Sequence, residues 1–487
     1  MLLSWLVFLP AIGIALILCI RRDQHKLIRC VATIITGLEL LLVVVVLARF
    51  DLANAGIQFA EQALWIPQLN VYYHVGIDGI SLIMLITTAL LSFLACVASF
   101  GITERVKEYF VLYLLLEMGM IGTFVALDLF LFYIFWEVVL VPMYFLIGIW
   151  GGPRKEYAAI KFFLYTLTGS IFMLVGILAL YLTSTPHTFD ITALQQNTFT
   201  RAFQQVVFLA LFLGFAIKVP IWPFHTWLPD AHVEAPTPIS VLLAGVLLKM
   251  GTYGFFRIGY PILPEAARWF APALGVLAII GILYGGFVAF AQQDFKKLVA
   301  YSSVSHMGFV LLGLAVFTVT GFHGALMQMF THGLITGSLF LLVGVLYDRA
   351  HTRDLDAFGG LWVKLPVYGG ILVFCSLASL GLPGLAGFVS EFMVLLGSFP
   401  VYRWLTILAC GGILLAAAYL LYMIQRVLLG DLNQKWTHLP DINGREIFTL
   451  APLVVLILLV GVYPKIILQY MTPTLEALVK TVGGTLV

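Results

Sequence analysis

Residues 211–250 read LFLGFAIKVPIWPFHTWLPDAHVEAPTPISVLLAGVLLKM. Two apolar segments each carry a single lysine at mid-depth, Lys218 and Lys249. A Pro-rich link between them holds His225, Asp230, His232 and Glu234. The first segment is broken at its lysine, because Val219-Pro220 and Trp222-Pro223 follow at once. A proline inside a helix removes a backbone hydrogen bond and clashes with the preceding turn. In a membrane such a break survives only where protein or water re-satisfies the freed groups. A broken helix with an ammonium at the break reads as an ion site, not as a lipid-facing rod.

The rest of the chain supplies the membrane. Of 487 residues, 62% are hydrophobic and only 10% charged, with a net charge of +2. A soluble domain cannot cover its surface with that composition. The near-neutral balance suggests no nucleic-acid partner. Five cysteines (Cys19, Cys30, Cys96, Cys375, Cys410) lie in or beside apolar segments without a C-x-x-C pair, and read as small buried hydrophobes. No Gly-rich nucleotide loop, metal-ligand spacing or quinone-site signature is visible. The first apolar run, 2–20, precedes its charges Arg21, Arg22 and Lys26, which suits a retained span and not a cleaved leader.

A span needs about 20 apolar residues, and about fourteen such runs follow one another. The expected fold is an all-α polytopic membrane protein. Basic residues crowd into alternate links, which places the N-terminus outside. Four parts are expected: 1–107, 108–260, 261–430 and 431–487. The two middle parts each hold five spans, so they are expected to be inverted relative to each other. The fourth span of each is broken, at FAIKVPIWPFH and at GLPGLAGFVSE. The last span is expected over 447–470, with a short tail after it.

Charge at mid-depth costs roughly 2.5–3.5 kcal/mol per group, so each such group asks for a reason. Glu137 lies in LFYIFWEVVLVPMYF and needs a cation, for which Lys218 is the candidate. The pair either relays a proton or simply locks two helices. Lys249 has no acid near it in sequence; it either accepts a proton or bonds a broken-helix carbonyl. His306 and His332 can pass protons, with Ser302, Ser303, Ser305 and Thr331 close by, or they are packing residues. Glu391 follows the glycine-rich break and is a relay acid or a helix cap. Glu117 sits at depth without an obvious partner. His225, Asp230, His232 and Glu234 are expected in a solvated loop on the inner side, with proton uptake as the alternative.

At this point FWEVVLVPMYFLIGIWG, KVPIWPFHTWLPDAHVEAPTPISVLLAGVLLKMGTYG, YSSVSHMGF and GLPGLAGFVSEF together resemble the antiporter-like membrane subunits of respiratory complex I. The resemblance covers essentially the whole chain, and relatives occur in Mrp-type sodium/proton antiporters. Within the family, Glu391 and the short C-terminal end are similar to the members with a glutamate, not a lysine, on the second broken helix. The resemblance implies a proton-translocating subunit of a NADH:quinone oxidoreductase in a bacterial inner membrane, with membrane-arm subunits as neighbours on both sides. It implies Glu137 and Lys218 as one charge pair, Lys249 as the central lysine, His306 and His332 as the link, and Glu391 as the terminal carrier. It implies no redox centre on this chain, with flavin, iron–sulfur clusters, NADH and quinone held by partner subunits. An Mrp-type antiporter subunit, a purely structural subunit, and a complex with another electron donor stay open as alternatives.

Overall fold

The computed structural model describes residues 1–485. The chain begins with α1 (Leu2–Cys19) and α2 (His25–Arg49). A two-stranded antiparallel hairpin follows, β1 (Gln58–Ile66) and β2 (Val71–Ile77), the one departure from an otherwise helical chain among the described residues. Asn70 makes its turn in the left-handed region at φ 53°, where Asn is tolerated better than most residues. Then come α3 (Gly79–Ala98), α4 (Val106–Val125), α5 (Leu129–Trp150) and α6 (Lys155–Thr183). The short α7 (Ile191–Leu194) precedes α8 (Arg201–Lys218), and α9 (Trp227–Glu234) leads into α10 (Thr237–Ile262). The second half holds α11 (Pro264–Phe290), α12 (Phe295–Leu314), α13 (Val319–Ala350), α14 (Pro366–Ser379), α15 (Ala386–Ser398), α16 (Arg403–Leu428), α17 (Gly444–Val462) and α18 (Lys465–Thr481).

Thirteen described helices are long and apolar enough to cross a membrane. The fourth span of the second set is broken as expected: it is the pair α14 and α15, interrupted at 380–385. Large apolar side chains such as Leu164, Val206, Trp404 and Leu414 point outward from the bundle, which is the arrangement a lipid solvent selects. The chain is a multi-pass integral membrane protein.

Two helices, α10 and α13, are buried along their whole apolar length and form the axis of the bundle. α10 is not a plain α-helix. It contains a π-helical turn at Leu243–Leu247 and another at Phe255–Gly259. Such turns widen the backbone and often accompany functional sites. In the second, Arg257 donates to Asp78 Oδ1 at 2.6 Å, Ser81 Oγ at 2.9 Å and Tyr253 Oη at 3.0 Å. Asp78 also accepts from the N–H groups of Ile80 and Ser81, so one carboxylate both caps α3 and ties it to α10.

Two expectations are corrected. The last span ends at Val462, where Tyr463 and Pro464 break the helix. Residues 465–481 form a separate amphipathic helix with Ile467, Met471 and Leu475 turned inward. Only Cys96 and Cys375 are buried; Cys19, Cys30 and Cys410 are exposed on the outside of the bundle, and all five are free thiols.

Candidate functional site

α8 stops at Lys218 because Pro220 and Pro223 bring no N–H to continue it. The freed backbone is met by protein: Trp227 Nε1 donates to Ile217 O at 2.8 Å, and Ile221 N to Ala216 O at 2.7 Å. Lys218 is buried, with Nζ 5.3 Å from the Trp136 ring and 5.9 Å from that of Phe162. Two aromatic faces therefore hold the cation. The expected direct pair with Glu137 does not form, and one carboxylate oxygen of Glu137 is buried without a partner. The reason is rotational. Successive residues of an α-helix lie about 100° apart, and the Trp136 ring takes the position next to Lys218, while Glu137 stays beyond direct contact though its charge reaches the lysine.

The end of α8 abuts α10 at Gly251. A Cβ there would lie 2.7 Å from Phe215 O, so only glycine allows the contact. Two residues earlier, Lys249 follows the first π turn. Its ammonium donates to the carbonyl of Ala244 in that turn and lies 2.7 Å from His332 Nδ1. Of the two sequence readings of Lys249, the bond to a backbone carbonyl is the one seen, made here to a π turn. With Lys249 charged, its ammonium only donates, so His332 Nδ1 accepts and the ring proton is on Nε2. That Nε2 is buried without a partner.

His332 is on α13, and its ring centroid is 5.8 Å from that of His306 on α12. His306 Nδ1 is 2.7 Å from Glu391 Oε1 on α15, and both side chains are buried. On the other edge, His306 Nε2 lies 3.2 Å from Ser379 Oγ and 3.2 Å from Tyr419 Oη. Gln328 Nε2 donates to Glu391 Oε1 at 3.0 Å, and its own Oε1 accepts from Ser390. Glu391 is inside α15 and not at its start, so it is no helix cap. His306, His332, Gln328, Ser379 and Glu391 surround a cavity of about 10 Å3, the scale of a single water. The structure brings Lys249, His332, His306 and Glu391 into one line and leaves Glu137 and Lys218 beside it.

The Pro-rich link is not a solvated loop. Asp230, His232 and Glu234 belong to α9, and His225, His232 and Glu234 are buried. Leu228, Trp227 and Ala231 carry α9 into the bundle, which sequence polarity alone does not reveal. Asp230 Oδ2 pairs with Lys161 Nζ at 2.7 Å, and Glu234 Oε2 accepts from Arg154 N at 2.9 Å. His232 stacks on Phe340 at 4.6 Å, and neither ring nitrogen has a partner. The His225 ring lies edge-on to Tyr284 at 5.1 Å, likewise with both nitrogens unpartnered. A cavity of about 400 Å3 opens beside α9, lined by Glu234, Lys296, Asp348, Arg353 and Glu446 among others. Buried Lys296 donates to Ala235 O at 2.5 Å.

Sequence reasoning missed Lys161, Lys296 and Glu39. The two lysines gave no signal, since both flank span starts where cations are ordinary. Glu39 did, as a lone acid in TGLELLLVVVV. Glu117 has a neighbour after all, and it is Glu39.

Residues 126–416 match the family model described as NADH:quinone oxidoreductase/Mrp antiporter, TM. The chain is 45% identical to NADH-quinone oxidoreductase subunit M of Rhodobacter capsulatus, over 98% of this chain and 96% of that one. Among solved structures, a chain of respiratory complex I from Thermus thermophilus with bound NADH superposes with a TM-score of 0.91 at 34% identity, covering 99% of this chain and 100% of that one. A chain of the Mrp complex from Dietzia sp. DQ12-45-1b shares the fold, with a TM-score of 0.87 at 21% identity, over 99% of this chain and 100% of that one.

Proposed function

The chain belongs to the NADH:quinone oxidoreductase/Mrp antiporter transmembrane family, and on that premise we propose that it is a membrane-arm subunit that moves protons while partner subunits transfer electrons from NADH to quinone. The near-full-length relatives are quinone oxidoreductase subunits, which favours this reading over an Mrp-type antiporter. The observation that carries it is the buried line Lys249–His332–His306–Glu391. Each member is an acid or base, each lies within a hydrogen bond or about one water of the next, and imidazole exchanges protons at either nitrogen. Redox groups are assigned to the partner subunits: flavin, iron–sulfur clusters, NADH and quinone. The chain itself contributes proton transfer in the bacterial inner membrane, with its N-terminus outside and other membrane-arm subunits on either side.

Uptake is assigned to the inner cavity. His232 lies between Lys296, at the cavity, and Lys249, at the start of the line. Its two unpartnered nitrogens fit a ring that accepts a proton on one side and donates it on the other. Glu137 and Lys218 form a second charge pair that closes when the Glu137 side chain swings past Trp136. Closing that pair alters the field at Lys249 across the Gly251 contact. The matched breaks after Lys218 and before Ala386 fit two inverted sets, 108–260 and 261–430, with the line at their junction.

The test is Lys249→Met in the intact complex. Proton uptake into sealed vesicles is recorded beside NADH:quinone electron transfer. Loss of this chain's share of pumping, with the complex assembled, is expected. Pumping at the wild-type proton-to-electron ratio refutes the assignment.

A further inference from the structure

A second set of buried acids stands away from the line. Glu39 on α2 and Glu117 on α4 are both fully buried, and their side chains are neighbours. None of their four carboxylate oxygens has a hydrogen-bond partner. Ser92 on α3 lies next to Glu117, and its Oγ is also buried and unpartnered. Five oxygens from three helices therefore converge on one place, within bonding reach of one another but with no bond to any group outside the cluster.

The surrounding groups do not supply the missing charge. Tyr113 Oη donates to Ser92 O at 2.5 Å, and Tyr109 Oη is engaged with Ser99 Oγ at 2.9 Å. Thr33 Oγ1 donates to Arg29 O at 2.8 Å, and Thr36 Oγ1 to Thr33 O at 3.2 Å. Cys96 is a buried free thiol beside Thr33, at 3.8 Å. The cation on the same helix, Arg29, is ten residues earlier, about 15 Å along the axis at 1.5 Å per residue. It donates instead to Ile102 O at 2.7 Å. Among the described residues no cation pairs with either glutamate. Two like charges cannot both stand bare in a dry interior. What the five oxygens lack is one positive centre.

We propose that Glu39, Glu117 and Ser92 form a binding site for one monovalent cation, a proton or a sodium ion, separate from the Lys249–Glu391 line. Hard oxygen donors suit both occupants. The site is at the edge of the bundle, since Leu38 and Leu41 on α2 are exposed on its outer side. It does not depend on the relay: the four groups of that line are on other helices.

Infrared difference spectroscopy of the intact complex tests it. Wild type is compared with Glu39→Gln, Glu117→Gln and the double variant, in sodium-free buffer and with sodium chloride. The expected result is the carbonyl stretch of a protonated carboxylic acid in sodium-free buffer. Each single substitution removes or shifts it, and the double variant lacks it. If sodium is the occupant, adding sodium chloride abolishes the band; if the proton is, the band stays. Should the double variant not assemble, each single variant carries the same comparison, because each removes half of the pair. No carboxylic-acid difference between wild type and the variants in either buffer overturns the proposal.

Discussion

Replacing Glu391 by Gln removes a charge and little else. The Gln amide oxygen can occupy the place of Oε1, so the bonds from His306 at 2.7 Å and from Gln328 at 3.0 Å both persist. What disappears is the attraction between a carboxylate and a proton arriving on His306. Two unit charges about 4 Å apart interact by about 4 kcal/mol at an effective dielectric near 20. At about 1.4 kcal/mol per tenfold, that energy is worth roughly a thousandfold in how often His306 holds the proton. A relay that must load His306 then loses its throughput at this step, and the contribution of this chain to pumping falls below detection. The assay is the proton-to-electron ratio in proteoliposomes, read with a pH-sensitive dye beside NADH oxidation, with assembly confirmed on native gels. Glu391→Asp, which keeps the charge but retracts it by one methylene, should retain part of the pumping. A Glu391→Gln complex that pumps at the wild-type ratio shows that the line is structural, and the proposed path fails with it.

Two further outcomes are expected. His232→Phe keeps the stack on Phe340 but removes both nitrogens; pumping should drop about a hundredfold or more, the range general acid–base groups contribute, while assembly is unchanged, and undiminished pumping would take His232 off the path. The second concerns Asp128, which caps α5 outside the spans and sits against the Asp190–His74 pair. Burial, reinforced by the charge of Asp190 and opposed by N–H bonds from Tyr72, Leu131 and Phe130, pushes its carboxyl up to about 6 from 3.8. The folded value lies above the unfolded one. Its stabilising contribution is therefore complete below the unfolded value and is lost as pH rises through about 6, a loss of about 3 kcal/mol at 1.36 kcal/mol per unit. Asp128→Asn should flatten that part of the stability profile, measured as the thermal midpoint of the purified complex between about pH 4 and 7; identical profiles for the two would contradict the burial argument.

The breaks in the two spans were legible because proline and glycine act locally: Pro220 and Pro223 end α8 whatever surrounds them. The mid-depth charges were legible because a membrane makes each one expensive. What those signals do not carry is orientation. Glu137 and Lys218 were found as positions, but the 100° step between Trp136 and Glu137 decides which of them faces the lysine, and that depends on how α5 is rotated against α8. The burial of α9 was hidden for a similar reason. WLPDAHVE is polar enough to look solvated, and only the packing of Trp227 and Leu228 against the bundle draws His232 inside. The π turns of α10 left no mark in the sequence, since LAGVL and FFRIG have no helix breaker besides glycine.

The arrangement of the line also says what kind of machine it fits. Its members come from α10, α13, α12 and α15 in turn, so a proton moving along it passes from helix to helix more than along any one of them. Such a path is lateral. A lateral path cannot by itself carry charge across a membrane; it must be fed from one face and drained to the other. The proposed feed is the cavity beside α9 together with His232; Lys296 there donates to a backbone carbonyl and His232 stacks on Phe340, whereas Arg353 and Glu446 are held in ion pairs. On the proposed path, control lies inside the line, at the buried His306–Glu391 pair. This separates access from control: changes at the cavity should slow delivery, whereas changes at Glu391 should alter whether the proton is kept at all. Kinetics at limiting and saturating proton supply distinguish the two, because raising the proton concentration compensates a slow feed but does not restore a missing charge.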